Sequence, residues 1–193
     1  MLISSLPARL TASFKVSAVL VAGLLMFPHA DHGAAHAQHS HGADGTGHDE
    51  VNMPGLRGEN ASVEESTELA VMFRGFRSFT RTVENLPNGI RTVTRTSNPE
   101  VMEALVNHVA GMTERVFNED DPKILIQSPT LDIIFERGDK ILTELDILDD
   151  GIVVIQTSDD PEVVDALQVH AEEVSAMAEQ GMHAVHQMMM KRH

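Results

Sequence analysis

The chain has no cysteine, no tryptophan and no tyrosine among its 193 residues. Without cysteine there is no disulfide, no thiolate metal site, no thiol nucleophile and no covalent haem attachment through a Cys pair followed by His. Export is still allowed, because a domain of this length is stable without staples. The only aromatic side chains are seven Phe, so the core must be largely aliphatic. Positive charge is also scarce. Fourteen Lys and Arg stand against 29 Asp and Glu, a formal net charge of −15, which argues against nucleic acid or an anionic membrane surface as partner. Nucleophile elbows, metalloprotease helices, phosphate loops and calcium loops are all absent. No acid, base or nucleophile constellation appears, and the expectation is a protein that is not an enzyme.

Long hydrophobic runs are few. The one in "VSAVLVAGLLMF", residues 16–27, follows Arg9 and Lys15 and precedes the small-residue pattern Ala35-His36-Ala37. This order reads as a secretory signal peptide, residues 1–37. Twelve apolar residues are too few to span a bilayer, which takes about 20. The mature chain is therefore expected in the periplasm or secreted, with no membrane span. Residues 38–61 are rich in Gly, His and Asp without apolar periodicity and read as a disordered tail. Its His39, His41 and His48 form a tract of the kind that loads Cu(II), Ni(II) or Zn(II) weakly.

The remainder, 62–193, carries an internal repeat. Shifted by 62 residues, 89–108 and 151–170 coincide at eight of twenty positions, where chance gives about one. Each unit, 62–120 and 124–190, reads as helix, hairpin, helix. Ser62 and Glu65 fit a capping box at the first helix start. Asn88-Gly89 signals a tight hairpin, and "DDG" occupies the same place in the second unit. Asn98-Pro99 and Asp160-Pro161 each suit a helix N-terminus, with a capping side chain before a proline at the first helical position. The expected fold is α+β: a tandem duplication forming one pseudo-two-fold domain, its antiparallel sheet covered on one face by helices. The acidic runs at 118–121 and 149–150 read as loops, and Glu100 and Glu162 as favourable charges on helix N-termini.

Both units keep a histidine at the same place. Val101, Leu105, His108 and Met112 form one apolar stripe; Val163, Leu167, His170, Val174 and Met177 form the other. Each histidine thus occupies a core-facing position. A buried neutral imidazole bonded to main-chain groups is the plainest explanation. The alternative uses the symmetry: two helices related by a two-fold axis would bring His108 and His170 face to face, with Met112 one turn further on one side only. Imidazole with thioether favours copper and is also an axial pair for haem iron.

A second cluster lies in "MHAVHQMMM", residues 182–190. His183 and His186 share a helix face, and five of the nine methionines beyond residue 37 fall between 177 and 190. Methionines of this kind most often fill a core or an interface; with histidine and no thiol they also suit copper in an oxidising compartment. The functional expectation is an exported carrier or chaperone for copper, with His108, His170, Met112, His183 and His186 as candidate ligands. Non-covalent haem is the next reading. A cofactor-free module that binds another periplasmic protein or a small ligand is the third.

Overall fold

The computed structural model describes residues 54–191. The expected signal peptide and the first part of the expected tail, with His39, His41 and His48, lie outside these residues. Within them are five α-helices and one four-stranded antiparallel sheet. The chain runs α1 (Val63–Arg74), β1 (Phe79–Leu86), β2 (Gly89–Thr96), α2 (Pro99–Phe117), α3 (Thr130–Glu136), β3 (Leu142–Leu148), β4 (Gly151–Thr157), α4 (Pro161–Gln180) and α5 (Met182–Met190).

The helix starts follow from local chemistry. Ser62 Oγ accepts from the Glu65 amide while Glu65 accepts from the Ser62 amide, a complete capping box on α1. Asn98 caps α2 and Asp160 caps α4, with Pro99 and Pro161 in the first turn, where a missing N–H leaves no hydrogen bond unmade. Asp160 also accepts from Lys140 and Arg137. The Lys140 ammonium, together with the Glu162 amide and Arg137, holds its pKa down at about 2.

Two hairpins join edge to edge in the order β1-β2-β4-β3. In the central ladder Thr92 lies opposite Val154, a residue 62 positions further on. The sequence places the first turn at Asn88-Gly89, but Leu86 pairs with Gly89, so Pro87 and Asn88 make the loop and Gly89 opens β2. Close approach of backbones is what requires this glycine. A Cβ on Gly89 would sit 1.9 Å from the Gln156 carbonyl oxygen, and one on Gly151 would sit 2.3 Å from that of Thr94.

One face of the sheet is covered. Helix α4 lies across β1 and β2, while α2 packs on β2, β4 and the turn that precedes β3. Each long helix thus rests partly on the other half of the chain. On β2 the side chains alternate, with Ile90, Thr92, Thr94 and Thr96 buried and Arg91 and Arg95 exposed. A main cluster of Ile90, Ile134, Phe135, Val163 and Leu167 draws on both halves. A second, of Leu56, Ala70, Phe73, Met182 and Val185, ties α5 to α1.

Residues 54–61, read from sequence as the end of a tail, pack against the domain. Leu56 is buried, Gly58 bridges to Ile124, and Asn60 donates to Asp120. Arg115 completes this corner. Its guanidinium binds both Glu65 oxygens at 2.5 and 3.0 Å, Asp120 at 2.7 Å and the Asn60 carbonyl at 2.9 Å. Burial alone would raise the pKa of Glu65, but the hydrogen bonds from Arg115 and Ser62 outweigh it and hold the carboxyl below its ordinary range. A single buried leucine in a Gly-rich stretch has no period, so sequence pattern does not reveal it. Among the described residues no helix is long and apolar enough to cross a membrane.

Candidate functional site

Between the sheet and its covering helices lies a cavity of about 300 Å³. Its walls are mostly apolar: Leu69, Phe73, Phe79, Ile134, Phe135 and Val174 are among them. Inward threonines of β2 and the side chain of Gln156 form its floor. Volume and lining are those of a small-molecule site, a largely apolar concavity with a few convergent polar groups.

His108 on α2 and His170 on α4 both line this cavity. They reach it because the stripes on the two helices face the sheet, as Leu105 and Leu167, one turn earlier, do by being buried. His108 is half-buried and lines the cavity. Burial disfavours the imidazolium and lowers its pKa to about 4; Glu65 opposes this and His170 adds to it. At neutral pH His108 is the neutral imidazole, the form that ligates a metal.

Neither ring makes a hydrogen bond to any described residue, and the Nδ1 of each is walled in by protein without a partner. His170 Nδ1 lies 3.8 Å from Glu173 Oε2, which is beyond hydrogen-bonding distance. Glu173 itself accepts from Ser128 Oγ at 2.6 Å. Orphaned buried ring nitrogens are uncommon, and each costs about 1–3 kcal/mol. Two such nitrogens, on histidines that line one cavity, are not what packing alone selects. The main-chain hydrogen bonds that the plainest explanation of these histidines requires are absent from both.

Met112 joins the two histidines in the cavity wall, as do Met177, Met72 and Met188. The structure does not bring His183 and His186 there. Both are exposed on the outer side of α5, where His183 bonds Gln187 at 2.9 Å. In the same helix Met182 is buried and Met190 lies in solvent, so this methionine run is divided between core and surface. Among the described residues no three His, Cys, Asp or Glu side chains are grouped to hold a bare ion.

The sequence reading missed Arg81 on β1. It lines the cavity, donating from Nη1 to Thr94 Oγ1 at 2.6 Å and from Nε to Ser175 Oγ at 3.3 Å. The signal was present in the period-two alternation of "FTRTV": Phe79 and Arg81 point inward while Thr80 and Thr82 point out. An arginine on the inner face of an edge strand is the departure to look for.

Comparison with protein-family models, with curated proteins and with solved structures finds no match to the chain.

Proposed function

We propose that this is an exported binding protein that carries haem, or a related iron tetrapyrrole, in its central cavity, where His108 and His170 would hold the iron. The observation that carries the reading is the pair of imidazoles, one on each long helix, lining a single apolar cavity with no protein hydrogen bond to either. Burial favours the neutral, ligating form of His108. Phe73, Phe76, Phe79 and Phe135 in the wall offer ring faces and edges to a flat, apolar ligand. Iron would be held through Nε2 of each ring, since both Nδ1 atoms are walled in by protein, and bis-imidazole ligation is an ordinary haem arrangement among those that protein side chains provide.

Duplication belongs to the same proposal. With the 62-residue shift, the central register of β2 on β4 maps onto itself about the Thr92–Val154 pair. A pseudo-two-fold axis there relates α2 to α4, and His108 to His170. Each half contributes one ligand, and neither half can enclose the ligand alone. The signal peptide expected from sequence at residues 1–37 supports a location outside the cytoplasm in this reading.

Copper is the second reading, favoured by one observation: the thioethers of Met112 and Met177 line the same cavity as the two imidazoles. Cu(I) accepts that donor set. A bare ion would leave most of a cavity of about 300 Å³ empty, whereas a tetrapyrrole would fill it and extend through its open side, using more of the apolar wall, so haem comes first.

The test is isolation of the protein from its own compartment, with an absorption spectrum and metal analysis. A Soret band with one iron per chain is expected, and should be lost in the His108→Ala, His170→Ala double variant. Stoichiometric copper without a Soret band selects the second reading. Neither metal in the isolated protein, with apo-protein unable to take up either in vitro, contradicts both.

A further inference from the structure

Arg81 is a half-buried cation in the wall of a mostly apolar cavity, with no carboxylate within ion-pairing distance among the described residues. Its protein partners are two neutral hydroxyls, Thr94 and Ser175. Burial lowers its pKa to about 10, so the guanidinium remains charged at neutral pH. The acidic wall group Glu173 accepts from Ser128 and lies 3.8 Å from His170 Nδ1. A buried charge is ordinarily paired, because leaving it unpaired is costly. The position 62 residues on from Arg81 is Thr143, which accepts from Gln156, so this cation exists on one side only. A cage whose long helices are alike is thereby given a direction.

We propose that Arg81, with Thr94 beside it, is the receptor for an ionised carboxylate carried by the cavity's ligand. A guanidinium presents planar N–H donors that match a carboxylate, and such charge-assisted bonds are about twice as strong as neutral ones. The ligand class is a mainly apolar molecule with an acid group at one end. This rests on the cavity being a ligand site, but not on the identity of the ligand's body. Tetrapyrrole side chains and long-chain fatty acids both supply such a carboxylate.

Esterification separates the two sources. Protoporphyrin IX and its dimethyl ester, and palmitate and its methyl ester, are titrated into wild-type protein and into Arg81→Met and Arg81→Lys variants. The free acid is expected to bind wild type at least about tenfold tighter than its ester. That preference should vanish in Arg81→Met and partly return in Arg81→Lys. Ester affinity equal to wild type shows that Arg81→Met is folded, and removal of an unpaired charge should leave the apo-variant at least as stable as wild type. If only the palmitate pair binds, with the Arg81-dependent preference, the carboxylate site stands and the haem reading falls. If porphyrin acid and ester bind equally and Arg81→Met changes neither, the haem cavity stands and the carboxylate receptor is overturned. Binding of none of the four probes overturns it as well.

Discussion

Thr92 of β2 and Val154 of β4 lie opposite each other at the middle of the sheet, 62 residues apart in the chain. That pair sets how the halves join. Around it, Gly89 crosses the backbone at Gln156 and Gly151 crosses it at Thr94, again 62 apart. The long helices then cross the seam, α4 resting on β1 and β2 and α2 reaching β4. Stability is therefore expected to depend on the seam more than on either half.

Gly89→Ala tests this. The new methyl group would fall 1.9 Å from a carbonyl oxygen, a contact that only backbone movement relieves. A loss of about 3 kcal/mol or more is expected, as for overpacking against backbone. Urea unfolding should show a lower midpoint with an unchanged slope. Gly111→Ala, in α2 with open space at its Cβ, should be neutral or stabilising.

His108→Leu separates a binding histidine from a structural one. A hydrogen-bonded core histidine would be missed, and its loss would lower the midpoint. Here the ring nitrogens have no protein partner, so a leucine of similar reach removes an unsatisfied polar group. Apo-protein should gain about 1–3 kcal/mol, while ligand affinity collapses. Thermal denaturation of apo and loaded protein, compared for wild type and variant, measures both effects.

Acid should destabilise the fold in two separate windows. His108 has a folded-state pKa of about 4 against 6.5 for the free side chain. Between those values the unfolded chain binds the extra proton, so stability rises with pH across that interval and is fully present above it. The total is on the order of 3 kcal/mol. The Glu65 pKa is lowered instead, so its contribution is present above the ordinary carboxyl range and disappears as pH falls below it. Unfolding free energy measured from pH 7 to pH 3 should show both slopes. In His108→Leu the slope between pH 6.5 and 4 should flatten while the lower one persists.

Most of the scaffold was legible in the sequence because its determinants are local. Asn98-Pro99 and Asp160-Pro161 start helices by chemistry contained within a few residues, and the stripes through Leu105 and Leu167 give the buried faces. Hidden features were those set by distant contacts. The turn moved by one residue because Gly89 answers to Gln156, far along the chain. Leu56 is buried by α1 and α5, which nothing near it in sequence announces. Of the candidate ligands, His108, His170 and Met112 line the cavity because they lie on helix faces already fixed by packing. His183 and His186 share a face too, but α5 turns its Val185 and Ala184 inward, leaving both imidazoles in solvent. Arg81 was missed because charge on a strand is ordinarily assigned to the solvent side.

The most direct test is titration of the purified apo-protein with ferric haem, followed by absorption. One equivalent should saturate and give the six-coordinate, low-spin spectrum of two imidazole ligands. Either single variant, His108→Ala or His170→Ala, should convert it to a high-spin or mixed species, and the double variant should abolish tight binding. Saturable binding with an identical low-spin spectrum in the double variant would contradict the assignment, as would failure of folded wild-type protein to take up haem at all.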